Sequence, residues 1–301
     1  MTSKFITRVQ DRILRAQDAR RRRNLPKSSF HAKMAERKRL AERIRQQCGL
    51  SSDEPIYDIE TKIGQKEVGN RAGVPSAQIL QGPYDTVHQF RIDGLPDKFV
   101  IKPIIGSGAN GVFLIEKRSG CLYDHFSSVS YPNDLTSLEA AGLSKFQGCP
   151  LIAEEFIERR EKPSMNWKLH TFFGEIGLIR QGDLNQADKP YKLWSPEGKN
   201  LGPIDSLGFR YDPDLPPPDD LEALVEAARK ISRSVLTPFI RVDLYEADDG
   251  VRLGEVTLRP SSLWKKKHLQ KFTPEWDRKL GEMWEDAQAR LVEKVGEAYM
   301  P

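Results

Sequence analysis

The feature that most constrains the fold is an alternation of apolar and polar side chains over residues 239–260, interrupted by Asp248-Asp249-Gly250. Side chains of a strand point alternately to its two faces, so this alternation predicts strands with one buried face. The tripeptide favours a tight turn, and the stretch is therefore predicted to be a β-hairpin. One face of the hairpin carries the polar set Arg241, Asp243, Tyr245, Glu255, Thr257 and Arg259.

The register of this hairpin brings two carboxylates together. A three-residue loop pairs Ala247 with Val251 and, by the same register, Asp243 with Glu255 and Arg241 with Thr257. Like charges directly opposite each other repel, whereas a hard cation such as Mg²⁺ takes carboxylate oxygens as ligands. The pair predicts a metal site. The alternative is an ordinary surface hairpin that tolerates one repulsive pair.

Charge is distributed unevenly along the chain, although the net charge is only +4. Residues 1–49, the basic arm, contain 15 Lys and Arg against 4 Asp and Glu, which is +11. The rest carries 32 against 39, which is −7. The arm is predicted to be two helices interrupted near Pro26. It is either a solvated or partly disordered extension or, through Arg20 to Arg23, a polyanion-binding segment.

The cysteines and the hydropathy of the sequence indicate in which cellular compartment the protein is expected. The three cysteines, Cys48, Cys121 and Cys149, form no zinc-type pair and suggest no disulfide framework, which is typical of a reducing cytoplasm. No run of 18 or more apolar residues occurs, so no membrane-spanning helix is predicted. We expect a cytoplasmic protein, and a peripheral position at the inner face of the membrane is compatible with the basic arm.

From Asp58 onward, the sequence alternates between predicted helices and strands. The helices are predicted at residues 62–71, 135–145, 220–234 (with Asp219 as its N-cap) and after Thr273-Pro274. The strands are predicted at residues 76–81, 98–103, 111–117, 151–157, 168–173 and 175–180, besides the hairpin.

A glycine-rich loop, Gly106-Ser107-Gly108-Ala109-Asn110-Gly111, matches G-x-G-x-x-G literally. The dinucleotide fingerprint needs a helix after this motif, but the residues that follow are β-branched and apolar and predict a strand. A loop of this kind between strands can place backbone N–H groups against phosphates. A flexible hairpin tip is the alternative. Lys102, at the end of the preceding strand, favours the phosphate interpretation.

Taken in order, these motifs resemble those of ATP-grasp enzymes over about three quarters of the chain. The matching positions are Thr61-Lys62 eleven residues before Gly73-Val74-Pro75, Val100 to Pro103 with the glycine loop, Glu154 to Ile157 as an adenine hinge, and the Arg241-x-Asp243 and Glu255-x-Thr257 strands. Within this superfamily the chain is similar to the TupA-like branch, named for teichuronopeptide biosynthesis. That similarity lies in Trp167 to Gly174, Arg241 to Tyr245, Gly254 to Thr257 and Phe272 to Asp277.

Three positions depart from the family pattern. Thr257 stands where an asparagine usually binds metal, although a threonine also fits the TupA-like pattern. Asn166 stands where an acidic residue commonly holds the ribose, and Arg259 where the branch usually has a small residue.

The resemblance implies an α+β fold in which two α/β lobes clasp ATP. Residues 1–49 would be a basic helical extension, residues 50–160 the N-terminal lobe with the glycine flap, and residues 161–301 the C-terminal lobe with the metal site. The implied activity is that of a Mg²⁺-dependent carboxylate–amine ligase, acting on a cell-surface polysaccharide or related precursor. A carboxylate attacks the γ-phosphate of ATP to give an acyl phosphate, and an amine then displaces phosphate.

The resemblance also assigns roles to residues. Arg241 and Arg259 would steady the acyl phosphate, and His170 is interpreted as a packing or hydrogen-bonding residue rather than a general base. Mg²⁺ would be held by Asp243, Glu255 and Thr257. ATP would be held by Lys62, Lys102, Gly106, Ser107, Gly108, Glu155, Phe156, Ile157 and Lys168.

Two other functions stay open. ATP-grasp folds also serve phosphotransferases, but a kinase would need a base near Arg241 and no clear candidate is evident. A polyanion-binding protein with a degenerate ATP site is the second alternative, against which the intact Lys62, Lys102, Asp243 and Glu255 argue. Besides a small-molecule or glycopolymer substrate, residues 1–45 would bind a charged glycopolymer, a membrane surface or nucleic acid, in decreasing order of expectation.

Overall fold

The computed structural model describes residues 26–51, 54–106, 110–132, 135–146, 148–157, 159, 165–183, 190–204, 210–260 and 272–296. Within these ranges the chain forms five α-helices and two antiparallel sheets, which confirms the α+β class. None of the described helices is both long enough and apolar enough to cross a membrane.

The helices are α1 (Phe30–Cys48), α2 (Lys62–Ala72), α3 (Thr136–Ala141), α4 (Leu221–Ser234) and α5 (Pro274–Val295). The strands are β1 (Ile79–Tyr84), β2 (Lys98–Pro103), β3 (Phe113–Arg118), β4 (Cys121–Asp124), β5 (Val129–Pro132), β6 (Leu151–Glu155), β7 (Met165–Phe172), β8 (Glu175–Asp183), β9 (Tyr191–Trp194), β10 (Ile240–Ala247) and β11 (Gly250–Thr257).

The first sheet has the strand order β1-β6-β2-β3-β4-β5 and a core of its own, which includes Phe99, Ile101, Ile115 and Leu122. Strands β6 and β2 are neighbours, with Val100 opposite Glu154 and Lys102 opposite Ile152. This pairing brings a lysine and a buried glutamate from distant parts of the chain to the same region of the sheet.

The second sheet has the order β11-β10-β7-β8-β9, and its two faces are covered differently. One face packs against α4 and α2 through a core that includes Trp167, Leu169 and Val242. The other face is covered in part by α1 and α5, whose Phe30 and Trp284 pack on Phe172 and Phe239. Because side chains alternate along a strand, the cross-strand pairs of Arg241 with His170, Asp243 with Lys168 and Tyr245 with Asn166 share this second face.

Helix α1 belongs to the packed body, although it lies within the basic arm. Ser29 caps its N-terminus by accepting a hydrogen bond from the Ala32 amide, and Gly49 ends it in the left-handed conformation. Its buried residues Phe30, Met34, Arg37 and Ala41 recur at helical spacing and form one face. The interpretation of the arm as a solvated extension therefore does not hold for residues 30–48.

The hairpin has the predicted cross-strand pairs at the site, but its turn and its register near the turn differ from the prediction. Ala247 pairs with Gly250 rather than Val251, so the turn has two residues instead of three. A one-residue shift between Asp243 and Leu244 then restores the pair of Asp243 with Glu255. Gly254 is the extra residue at this bulge, and a Cβ there would collide with the Tyr245 ring, so the bulge requires glycine.

Several other boundaries differ from the prediction. Asp220 rather than Asp219 caps α4, and the helix predicted at residues 135–145 divides into α3 and a 3₁₀ turn, Leu143–Phe146. The strand predicted at 76–81 is β1, which begins at Ile79. The sequence interpretation did not include β4, β5 or β9.

Candidate active site

Three lysines line a cleft between the first sheet, α2 and β11, and a buried carboxylate contacts two of them. Lys62 and Lys66 lie one helical turn apart on α2, and Lys102 ends β2. Glu154 of β6 is 5% exposed, and its Oε2 lies 2.7 Å from Lys66 Nζ while Oε1 contacts Lys102 Nζ. The cleft is lined by Lys62, Gln65, Lys66, Ser76, Lys102, Leu253 and Gly254.

The cleft has more positive than negative charge. Burial alone would raise the pKa of Glu154, but Lys102 and Lys66 more than offset this and keep its pKa below the usual range. Burial lowers the pKa of Lys102, and the attraction of Glu154 does not offset this, because the nearby charges of Lys62 and Lys66 lower it further. Glu154 is thus ionised, and its single negative charge balances only part of the positive charge of Lys66 and Lys102. Such a cleft suits an anionic ligand.

The paired carboxylates stand across the hairpin, beside a second group of cations. Asp243 is opposite Glu255 in the register, and on its other side it is opposite Lys168 of β7. Arg241 Nε lies 2.6 Å from Asp243 Oδ1, and Arg241 Nη2 lies 2.9 Å from Oδ2, which Lys168 Nζ also contacts. Glu255 Oε1 lies 3.6 Å from Lys62 Nζ, which connects the hairpin to the lysine cleft.

These contacts fix the ionisation of Asp243. Burial would raise the pKa of this carboxyl, but Arg241 and Lys168 lower it to about 2. Burial lowers the pKa of Lys168, whereas the pKa of Arg241 is raised because the attraction of Asp243 and Glu255 exceeds the effect of burial. The aspartate is an anion at any physiological pH.

The donor set of the hairpin fits a hard divalent cation. Asp243 and Glu255 offer carboxylate oxygens, and Thr257, opposite Arg241, offers a hydroxyl 3.2 Å from Arg241 Nη2. In the described part of the chain, no three His, Cys, Asp or Glu side chains converge as a metal cage. Mg²⁺ sites commonly use one or two carboxylates together with substrate phosphates and water.

The segment predicted to be the adenine hinge lies at the end of β6, next to Glu154. The Glu155 amide donates to Gln78 O at 2.9 Å, and its side chain lies 3.7 Å from Arg252. Phe156 and Ile157 are half-buried, and the ring of Phe156 lies 6.0 Å from that of His125. The hinge and the lysine cleft therefore adjoin each other.

Asn166, which the family resemblance places at the ribose position, has a buried acceptor without a partner. Asn166 Nδ2 donates to the Tyr245 hydroxyl at 3.0 Å, while the buried Asn166 Oδ1 has no hydrogen-bond partner. Burial raises the pKa of Tyr245 to about 12, so its hydroxyl keeps its proton. A buried acceptor without a partner is costly, and a ligand hydroxyl would satisfy it.

Of the glycine flap, the structure describes Gly106 and residues 110 and 111, whereas Ser107 and Gly108 lie outside the described residues. The amide of Lys62 donates to Ile104 O at 2.7 Å, so the start of α2 is joined to the segment that enters the flap.

Arg259 forms an ion pair that the sequence did not predict, and its predicted role toward the acyl phosphate stays a prediction. Its guanidinium contacts Glu60, whose other oxygen lies 3.7 Å from Arg45 Nη2. Burial, and then the nearby Arg45, lower the pKa of Arg259 to about 10. Glu60 directly precedes Thr61, the N-cap of α2, so this ion pair braces the start of the helix that carries Lys62.

His170 supports the packing interpretation. It lies opposite Arg241 in the register but is 2% exposed, among the rings of Phe30, Phe239 and Phe272. Neither ring nitrogen has a hydrogen-bond partner. Burial, and then Arg241, lower its pKa to about 3, so the imidazole is neutral.

Sequence reasoning missed two members of the cleft. Lys66 could have been found, because it follows Lys62 by four residues and such residues share a helix face. Glu154 was assigned only to the hinge. Its role between two lysines depends on the pairing of β2 with β6, for which the sequence has no local signal.

Comparison with known proteins gives a family match and several distant structures. The family model described as TupA-like ATPgrasp matches residues 32–285. A search of curated proteins finds no match. Solved structures include the ATP-grasp ligase PsnB complexed with minimal precursor, at 10% identity and a TM-score of 0.42, over 80% of this chain and 67% of that one.

Two further structures have similar scores. D-alanine–D-alanine ligase from Bacillus anthracis complexed with ATP has 15% identity and a TM-score of 0.48, over 85% of this chain and 76% of that one. A RimK domain ATP-grasp protein from Sphaerobacter thermophilus has 15% identity and a TM-score of 0.43, over 77% of this chain and 67% of that one.

Proposed function

Because this chain belongs to the TupA-like ATP-grasp family, we propose that it is an ATP-dependent carboxylate–amine ligase that requires Mg²⁺. One observation carries the proposal: Lys62 of the lysine cleft lies 3.6 Å from Glu255, and Glu255 is opposite Asp243, which Lys168 of β7 contacts. Phosphates need such cations, and a carboxylate pair at their edge is what a magnesium–nucleotide complex uses.

The residues of this site divide into three tasks. Lys62 and Lys102 bind the phosphates of ATP, and Lys168 adds a cation beside Asp243. Asp243, Glu255 and Thr257 would hold Mg²⁺, which would neutralise charge on the phosphate oxygens. Arg241, whose planar fork suits carboxylates and phosphates, steadies the acyl phosphate and the oxyanion formed when the amine attacks it.

A ligase is favoured over a kinase because no strong base stands beside Arg241 in the register. A kinase must take a proton from an alcohol, whereas an acyl phosphate forms by attack of a carboxylate that is already ionised. His170 is the imidazole at this position, and with a pKa of about 3 and no exposed nitrogen it cannot accept that proton at neutral pH.

The substrate we propose is an acidic cell-surface polysaccharide or a related precursor. The support from this chain is the charge of the site face, where Arg180 of β8 is opposite Lys168 of β7 in the register and adds a second cation there. An acid substrate is attracted by such a face.

The test is a screen of carboxylate and amine pairs for phosphate release from ATP with Mg²⁺, followed by one isotope experiment. If the carboxylate of the active pair is labelled with ¹⁸O, a ligase transfers one ¹⁸O to the released phosphate. A kinase releases no phosphate but forms a phosphorylated product. Lys102→Met should weaken ATP binding at least tenfold by calorimetry, and Lys230→Met, an exposed lysine of α4, serves as the control.

A further inference from the structure

A buried arginine from the N-terminal helix connects the two strands that carry the metal pair. Arg37 of α1 is 5% exposed and points at the open end of the β10–β11 hairpin. Its Nη1 donates to Phe239 O at 2.7 Å and to Leu258 O at 3.1 Å, and its Nη2 donates to Thr237 Oγ1 at 2.6 Å. One guanidinium thus bridges the backbone that enters β10 and the backbone that leaves β11.

The position of this bridge matters because the strand ladder ends there. The last backbone pair of the hairpin at its open end is Arg241 with Thr257. Phe239 precedes Arg241 by two residues, and Leu258 follows Thr257 directly. Arg37 therefore extends the cross-strand hydrogen bonding beyond the last backbone pair. It does so next to Arg241 and Thr257, whose side chains hydrogen-bond at 3.2 Å.

The chemistry of the bridge is specific to arginine. A planar guanidinium has several donors in fixed directions, whereas a lysine ammonium is a point charge on a flexible stem. The guanidinium carbon of Arg37 lies 4.4 Å from the ring centroid of Trp284 of α5, and this stacking fixes the orientation of the guanidinium plane. Among the described residues no carboxylate pairs with Arg37, and its hydrogen-bond partners are neutral oxygens. Burial of a cation without a counter-ion is costly. The hydrogen bonds of Arg37 to the backbone at the ends of β10 and β11 therefore indicate that it positions these two strands.

We infer that Arg37 is a positioning residue for the active site, which fixes the spacing of the strands that carry Arg241, Asp243, Glu255 and Thr257. This inference rests on the proposed function. The lysines of α2 and β2 are held by other elements, so the loss of Arg37 should alter metal binding and turnover but not ATP binding through those lysines.

The test compares Arg37→Met and Arg37→Lys with two matched variants of the same helix. Lys33→Met removes an ion pair with Glu285 of α5 at 2.9 Å and touches neither strand. Phe30→Leu weakens the packing of the helix but leaves the carbonyl contacts. All four full-length proteins are assayed well below their melting temperatures.

For Arg37→Met we expect kcat to fall roughly 10- to 100-fold with the ATP KM within about threefold of wild type. Arg37→Lys should recover part of the loss. Mn²⁺ affinity, measured by electron paramagnetic resonance, should fall in parallel. Hydrogen exchange of peptides from β10 and β11 should accelerate in Arg37→Met and stay unchanged in Lys33→Met.

Two results would overturn the inference. One is a loss of kcat in Phe30→Leu equal to that of Arg37→Met at matched stability, because the effect would then be general destabilisation. The other is wild-type exchange in β10 and β11 in Arg37→Met. If the wild-type protein forms no amide with any pair, the proposed function fails, yet the exchange and Mn²⁺ measurements still decide the role of Arg37. If Arg37→Met does not fold, Arg37→Lys supplies the same comparison.

Discussion

Arg241 and Asp243, two residues apart on β10, form a two-point ion pair, with Nε 2.6 Å from Oδ1 and Nη2 2.9 Å from Oδ2. Lys168 contacts the same Oδ2 from the neighbouring strand. A cation that binds Asp243 must therefore share or displace two positive side chains. When a metal ion binds the Asp243 carboxylate, Arg241 and Lys168 lose part of their interaction with it. They then become available to an anionic ligand, so the two events are coupled.

The first prediction concerns Asp243→Asn. We expect Mg²⁺-dependent turnover of ATP to fall at least 100-fold, since the variant lacks the negative charge that balances the cations. Removal of one partner of a buried ion pair costs about 3–5 kcal/mol, so the free energy of unfolding should also fall by an amount of this order. Urea denaturation and a phosphate-release assay measure the two effects. Asp249→Asn, an exposed carboxylate at the turn of the same hairpin, is the control. Wild-type turnover in Asp243→Asn would contradict the metal assignment.

The hairpin shows what the sequence could predict at the site. The alternation placed the polar residues on one face, and the pairs of Asp243 with Glu255 and Arg241 with Thr257 are confirmed. The predicted loop was one residue too long. A bulge at Gly254 compensates for the shorter turn, and it depends on close contact of Gly254 with the Tyr245 ring, which alternation alone cannot show.

A second prediction concerns Glu154, which is shared by Lys66 and Lys102. Its pKa is below the usual value of 4.5 in the folded protein, so its contribution to stability is present above that value and is lost as the pH falls through the lower folded pKa. Glu154→Gln should therefore be less stable than wild type at pH 7, and the difference should shrink below pH 4.5.

Urea denaturation at pH 7, 5 and 3.5 measures this difference. Glu42→Gln, which removes an exposed carboxylate of α1, should show no comparable loss at pH 7. A Glu154→Gln deficit that stays constant down to pH 3.5 would mean that the charge of Glu154 is not what stabilises the cleft.

The parts of the site that the sequence did not predict depend on contacts between distant elements. Arg37 lies in a segment whose composition indicated a solvated extension, yet it touches residues 200 and more positions away. Spacing identifies which residues share a face of one helix or strand. It does not identify which elements meet, because that depends on how α1 and α5 cover the second sheet.

The third prediction concerns Arg259 and Glu60. Because they form an ion pair that braces the start of α2, Arg259→Met and Glu60→Gln should not be additive. In a double-mutant cycle on the free energy of unfolding we expect a coupling of about 1 kcal/mol or more. If Arg259 instead holds the acyl phosphate, as the family resemblance implies, Arg259→Met lowers kcat, Glu60→Gln does not, and the coupling is near zero.

The last prediction separates the two halves of the basic arm. Residues 1–25 contain 8 Lys and Arg against 2 Asp, which is +6, and include Arg20 to Arg23. Residues 26–49 include α1 with its buried Phe30 and Arg37. We therefore propose that anionic partners bind residues 1–25, in the order charged glycopolymer, membrane surface and nucleic acid.

Deletion of residues 1–25 should abolish binding to heparin and to vesicles with anionic lipid, while ATP affinity and the melting temperature stay at wild-type values. Wild-type binding should weaken steeply between 50 and 300 mM salt, since exposed charges are screened within roughly 8–10 Å at ordinary ionic strength. Deletion of residues 1–45 should instead lower the melting temperature by many degrees, because it removes Phe30 from the aromatic core and Arg37 from the hairpin. In the matched control, Arg20 to Arg23 are all replaced by glutamine, which removes the charge but keeps the length of the chain. A shorter deletion that melts like the longer one, with heparin binding unchanged, would show that residues 1–25 stabilise the fold rather than recruit a partner.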